Sequence, residues 1–336
     1  MSPTRSTLHR RISAFVDWIA PERDREDEIR AQAELVRNNL RGQAERDGLI
    51  VRSIPYSGSF AKRTGLRRHR PGGSRVDGLD VDLPFVLSPR TRDDEELHTL
   101  LDRFDRYAAS SYPGVVRSRT KCSVKLEFVR TKLNYDIVPM LATSVPDEQI
   151  IIRGDETRLR TSIQKHVEFI RGRTRVSNDL SGRVKFNEVV RLFKWWREFR
   201  EESATFEVPT IVIDLLAAAA FDAQKVEATY HDTLAGWFGW LTHAVKTRQR
   251  LAFQDFVALP APNGAAVWEV LDPVNPENNV VGRWSRLQVE QLAGWLGDAR
   301  DAMHRAIRAD ALGNDRESLS HLVGLFGSPF KHYCGD

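Results

Sequence analysis

Residues 53–88, SIPYSGSFAKRTGLRRHRPGGSRVDGLDVDLPFVLS, hold the side chains of this chain best suited to chemistry. Asp80 and Asp82 stand two apart in a short run of strand-forming residues. A strand sends alternate side chains to one face, so both carboxylates point the same way while Leu79, Val81 and Leu83 turn into a core. Carboxylates held a few ångströms apart repel one another and stay ionised readily only with a cation between them. A hard divalent cation suits them, and magnesium favours one or two carboxylates plus substrate phosphates. A third acid, Asp136, alternates with Tyr135 and Ile137 in LEFVRTKLNYDIVPML (126–141), which reads as a strand pair, so it can face the same site from a neighbouring strand. Upstream, Gly58-Ser59 offers a tight turn, a close backbone approach and a hydroxyl, all suited to a phosphate. Three carboxylates on adjacent strands beside such a turn suit two-metal phosphoryl transfer. One ion activates an attacking hydroxyl and the other holds a triphosphate and stabilises the leaving pyrophosphate. An Asp-x-Asp alone is common and a Gly-Ser alone usually marks a turn; the specificity lies in their order and spacing.

The elements that must position these residues follow from periodicity. Leu49 to Ile54 reads as a strand running into the Gly-Ser turn. Behind it, Ile29, Ala33, Val36 and Leu40 recur at helical spacing and predict an amphipathic helix over 22–46. A helix over 91–111 and strands near 114–118, 122–130 and 133–138 complete a small mixed sheet with helices on one side. Residues 147–160 read as a polar loop. Beyond 160 the pattern turns helical, with helices expected over 161–172, 183–200, 209–222 and 225–250. Ser285 and Gln288 form a capping box for a long helix to about 309. The most apolar run, VPTIVIDLLAAAAF (208–221), carries Asp214 and is too short to span a bilayer. The 336 residues, 41% hydrophobic, suffice for one large or two small domains. A net charge of +4 fits a protein that handles anions, without by itself establishing nucleic-acid binding. Two cysteines, Cys122 and Cys334, give neither a disulfide framework nor a zinc site, and Cys122 reads as a small core residue in a strand. With no apolar leader, the expected setting is the reducing cytoplasm, away from any membrane.

The order Gly58-Ser59, Thr64, Asp80-x-Asp82, Asp136 resembles the DNA polymerase β superfamily of nucleotidyltransferases. Within it the chain most resembles the bacterial cGAS/DncV-like nucleotidyltransferases (CD-NTases), themselves similar to 2′-5′ oligoadenylate synthases. The likeness is spread over YSGSFAKRTGL (56–66), LDVDLPFV (79–86), LNYDIVPML (133–141), VVRLFKWWRE (189–198), VLDPVNPENNVVGRW (270–284) and LFGSPF (325–330). The branch whose members work beside HORMA-domain proteins is the most similar. One departure is the insertion RRHRPGGSRVDG (67–78), read as a mobile basic loop, a surface loop or a lid over nucleotide or nucleic acid.

The resemblance implies an α+β fold, with a polymerase β-like nucleotidyltransferase core over residues 1–150, including a helical spine. That core packs against a mainly helical, oligoadenylate-synthase-like domain over 151–336, with a nucleotide cleft between the two. It implies two Mg2+ ions, with Mn2+ as an alternative, held by Asp80, Asp82 and Asp136, and a nucleotide site using Gly58, Ser59 and Thr64. It makes Lys194 a candidate for the donor triphosphate, against a solvated lysine on an amphipathic helix. Thr210 is left between capping its helix and holding the nucleotide. Trp195 and Trp196 read as core, and Asp272, Asn278 and Asn279 as structural. The implied activity joins NTPs, ATP among them, into a cyclic di- or trinucleotide for antiphage signalling. Implied partners are a HORMA-domain activator, an AAA+ remodelling ATPase and an effector acting through the product. A linear or RNA-tailing product is the alternative and would call for a long basic groove, of which only 67–78 gives a local sign. A silent nucleotide-binding module is a further alternative, and the retention of all three acids argues against it.

Overall fold

The structure is a computed structural model and describes residues 7–21, 26–67, 80–181, 184–201 and 206–334. The inserted 67–78 segment, apart from Arg67, and Leu79 lie outside the described residues. The chain forms two compact units. Of the described residues, those in 21–67 and 80–168 make a sheet unit, and those in 7–20 and 169–334 make a helical unit.

The chain opens with α1 (Thr7–Ile19), followed by α2 (Glu26–Arg46), β1 (Ile50–Ser53), the short α3 (Gly58–Lys62), β2 (Asp80–Ser88) and α4 (Leu97–Ser111). Strands β3 (Val116–Arg119), β4 (Val124–Phe128), β5 (Leu133–Ala142), β6 (Gln149–Ile152) and β7 (Arg158–Thr161) come next. The seven strands form one mixed sheet in the order β1-β2-β5-β4-β3, with β6 pairing β5 and β7 pairing β6. Among the described strands of this sheet only β2 and β5 run parallel, and their other pairings are antiparallel.

The burial of β2 explains its sequence. Its first three residues alternate, with Val81 buried between Asp80 and Asp82, and from Leu83 to Leu87 every residue is buried. Such a continuous apolar run marks a central strand covered on both faces. One face lies under α2 and α4. Ile29, Val36 and Leu40 of α2 and Leu100 and Phe104 of α4 share a core with Phe85 and Tyr135. Each large side chain so buried contributes about 1.5–3 kcal/mol. The other face is covered by a smaller cluster of Val86, Met140 and Ile163. The β6–β7 hairpin was not expected, because charged and turn residues flank Ile150–Ile152 and hide a β-branched run.

Helix α5 (Ile163–Ser181) begins in the sheet unit and ends in the helical one, which adds α6 (Phe186–Glu201), α7 (Thr210–Gln224), α8 (Tyr230–Lys246), α9 (Arg286–Ala311), α10 (Asp315–Phe326) and α11 (Ser328–Tyr333). The division thus falls within α5, where the sequence expectation drew it at residue 150. Helix α1 joins the helical unit, packing on α6, α8, α9 and α11 through Ile12, Phe15 and Ile19. As expected, α7 is buried from Val212 to Phe221, and Trp195 and Trp196 are core, at 3% and 0% exposure. The Ser285–Gln288 capping box starts α9. The 272–279 turn is held by its own polar groups, Asp272 Oδ1 accepting from the Val274 and Asn275 amides and Asn279 Oδ1 from the Val270 amide. Cys122 is half-buried in the turn before β4 rather than in a strand, and Cys334 is buried; both are free thiols. Among the described residues no helix is long and apolar enough to cross a membrane.

Candidate active site

Strand register brings the acids together. The parallel pairing of β2 and β5 sets Asp82 opposite Asp136 and Asp80 opposite Asn134. Since Val81, Tyr135 and Ile137 are fully buried on the opposite face, the three carboxylates share the face of the sheet away from that core. Burial pushes the Asp82 carboxyl up to about 6, with the neighbouring Asp136 and Asp80 charges adding to the rise and Lys62 opposing it. Burial also raises the Cys122 thiol, and the charges of Asp136 and Asp82 contribute to that shift.

The Gly58-Ser59 turn closes directly on this face. Gly58 has φ +60°, and a Cβ there would lie 1.7 Å from Asp82 Oδ2. The Ser57 amide donates to the Asp82 carbonyl at 3.2 Å. Helix α3 packs on β2, and Arg63 ends it in the left-handed region, so that the Thr64 amide returns to the Ser59 carbonyl at 2.9 Å. Thr64 itself is wholly buried. Aromatic side chains bracket the turn. The Tyr56 and Phe60 rings lie 5.3 Å apart, and the Arg37 guanidinium of α2 sits 3.7 Å from the Tyr56 ring centre.

Two residues beside the acids escaped the sequence reading. Asn134 Nδ2 donates to Asp80 Oδ1 at 3.0 Å, and Lys125 Nζ lies 3.3 Å from the same oxygen. Alternation in β4, which buries Val124 and Leu126, was the available signal that Lys125 faces the acids. Among the described residues no three His, Cys, Asp or Glu side chains are grouped as a ready-made cation site. The donor set nonetheless suits a divalent cation. It is all carboxylate oxygen, burial and then the repulsion of Asp136 and Asp80 disfavour the ionised form of Asp82, and the missing Cβ of Gly58 leaves that carboxylate room.

The other two expected nucleotide contacts, Lys194 and Thr210, belong to the helical unit. Lys194 is not a solvated lysine: it is 3% exposed and pairs with Asp214 of α7 at 2.9 Å. Thr210 does not cap α7, whose N-cap is Pro209. Its exposed hydroxyl accepts from Arg197 Nη1 at 3.3 Å.

Residues 7–168 match the family described as the Second Messenger Oligonucleotide or Dinucleotide Synthetase domain. Over 331 residues the chain is 30% identical to the cyclic AMP-AMP-AMP synthase of Escherichia coli strain MS 115-1, covering 96% of this chain and 98% of that one. The chain belongs to the bacterial CD-NTases. This CD-NTase is 25% identical over 272 residues to the CBASS oligonucleotide cyclase CdnC of E. coli strain KTE188, covering 78% and 79% of the two chains. The structure of E. coli MS115-1 CdnC in complex with HORMA-deltaN is similar to it with a TM-score of 0.78 and 27% identity, over 96% of this chain and 98% of that one. Vibrio cholerae DncV, at 12% identity and a TM-score of 0.64 over 97% and 98% of the chains, shares its fold. The CD-NTase is therefore a nucleotidyltransferase of polymerase β-like fold, a cyclic oligonucleotide synthase of CBASS antiphage signalling. Its family generally uses divalent metal ions.

Proposed function

We propose that this CD-NTase joins NTPs, ATP among them, into a cyclic di- or trinucleotide, with Asp80, Asp82 and Asp136 as the ligands of two Mg2+ ions or of Mn2+ in their place. The observation that carries this reading is the β2–β5 register, which sets Asp82 beside Asp136 with Asp80 on the same face. In the reaction a ribose hydroxyl of one nucleotide attacks the α-phosphorus of another. The bond from that phosphorus to the bridging oxygen breaks, and pyrophosphate leaves. Divalent cations at the three carboxylates would supply neutralisation of the charge on the attacking and leaving oxygens. The chain's own residues do the positioning. Gly58 lets the turn approach Asp82 without a side chain in the way, and the Ser59 hydroxyl binds phosphate oxygens. Thr64 closes the turn from inside. Lys194 we assign to its ion pair with Asp214, and Thr210 to the nucleotide, on the resemblance. ATP as a substrate is supported by the similarity to CdnC, whose structure has been determined with ATP. A HORMA-domain activator is supported by the CdnC complex, and an AAA+ remodelling ATPase and a downstream effector complete the proposed pathway. The free thiols Cys122 and Cys334 suit a reducing cytoplasm.

Incubation of the purified protein with all four NTPs and Mg2+, followed by mass spectrometry, tests the reading. A cyclic oligonucleotide that disappears in Asp80→Ala/Asp82→Ala is the expected result. Linear products alone would overturn the cyclic reading. Undiminished product in the double variant would overturn the assignment of the acids.

A further inference from the structure

Lys125 reaches across the acid face from the far side of β5. Antiparallel pairing sets it opposite Asp136, which in turn stands opposite Asp82, so three neighbouring strands carry Asp82, Asp136 and Lys125 in one transverse row. Asp80, Asn134 and Glu127 form the next row on the same face. Adjacent strands lie about 4.8 Å apart, which puts β4 roughly 10 Å from β2, a span that a lysine and an aspartate can bridge. The Lys125 ammonium passes beyond its own row and stops 3.3 Å from Asp80 Oδ1. That oxygen also accepts from Asn134 Nδ2 at 3.0 Å. A carboxylate oxygen offers two lone-pair directions, and the chain's own donors supply two partners to this one.

We infer that Lys125 is a built-in counter-cation that holds Asp80 in the nucleotide-free enzyme and is displaced when a divalent ion takes that oxygen. The inference rests on the reading of Asp80, Asp82 and Asp136 as metal ligands. Its consequence concerns the order of loading. A bare ion has to compete with the ammonium for Asp80. An ion arriving on a triphosphate brings phosphate ligands of its own and competes on better terms. Lys125 thereby ties metal occupancy to the presence of nucleotide. The contact is suited to being given up. Its side chains are 27% and 44% exposed, and ion pairs this open to solvent are weak.

The test is the affinity of the nucleotide-free, EDTA-treated protein for Mn2+ alone, read from the electron paramagnetic resonance signal of the free ion. Lys125→Met is expected to bind Mn2+ about three- to tenfold more tightly than the wild type. Lys125→Arg, which keeps the charge, should stay within about twofold of it. Lys121→Met removes an exposed lysine from the turn just before β4 and should also leave affinity unchanged. Thermal melting checks each fold, and Lys125→Gln replaces the methionine variant if that one is unstable. Unchanged or weaker binding in Lys125→Met, with the wild type binding Mn2+, would overturn the inference alone. So would an equal gain in Lys121→Met, since any nearby charge would then suffice. Failure of every protein to bind Mn2+ would overturn the metal-ligand reading itself, and this inference with it.

Discussion

Gly58 has no side chain where Asp82 needs the space. A methyl group there would fall 1.7 Å from Asp82 Oδ2, and the φ of +60° would strain any L residue as well. Gly58→Ala is therefore expected to cut product formation at least about 100-fold, because the turn and the carboxylate cannot both keep their places. Product yield by mass spectrometry and a circular dichroism melt would separate that loss from unfolding. Asp82 gives a second prediction. Its carboxyl titrates near 6, raised by burial and by Asp136 and Asp80. Below the ordinary carboxylate range it is protonated in both folded and unfolded chains and contributes nothing to pH dependence. Between that range and about 6 the unfolded chain gives up its proton first, so stability falls as pH rises. Above 6 the whole cost is present. In EDTA, Asp82→Asn should thus be more stable than the wild type by about 1–3 kcal/mol at pH 7.5 and close to it at pH 4, measured by urea unfolding. Equal stabilities at pH 7.5 would contradict this account of Asp82.

At the scale of elements, α6 and α7 are joined by the Lys194–Asp214 pair, with side chains 4% and 2% exposed. Removing one partner takes from a buried charge its counter-ion. Lys194→Met should cost about 3–5 kcal/mol, and Lys194→Met/Asp214→Leu should recover most of that loss. Chemical denaturation of the two variants decides between this and a purely nucleotide-binding lysine, for which the second substitution restores nothing. The pair also marks where sequence reading ran out. The period-2 alternation around Asp80, Asp82 and Asp136 was legible because it is local, and so was the stripe on α2. The partner of Lys194 depends on how two helices pack, which spacing along one helix does not record. Asp214, the one charged residue in the apolar run 208–221, was the available signal that a cation would be found there. Lys125 was hidden in the same way, since its place beside Asp80 depends on strand order and register across three strands.

For the molecule as a whole, the sequence resemblance covered both halves and its α+β class is the fold observed. What it placed differently was α1, whose apolar stripe could cover a sheet or a helix bundle equally well and which packs with the helices. If the three acids hold divalent ions only in the folded chain, ion binding adds to global stability. At a free Mn2+ concentration 100 times its dissociation constant the gain is about 2.7 kcal/mol. EDTA-treated wild type should show this rise in unfolding free energy when Mn2+ is added. Asp80→Ala/Asp82→Ala/Asp136→Ala should show none, and an equal rise in both would place the ion elsewhere.

The parallel pairing of β2 with β5 also sets a timetable for the molecule's own synthesis. Asp80 and its neighbour Asn134 are 54 residues apart in the chain, with α4, β3 and β4 between them. Parallel strands cannot be joined by a tight turn, so β2 must wait for the whole crossover before it acquires the strand that carries Asp136. Contacts this distant in sequence form slowly, after their loop has closed. A ribosome extending the chain from its N-terminus exposes Asp80 and Asp82 long before Asp136 emerges. Until β5 has left the exit tunnel and docked, the nascent chain holds two acids without the third. If the three acids act together as proposed, an unfinished polypeptide is thereby barred from sounding a false alarm.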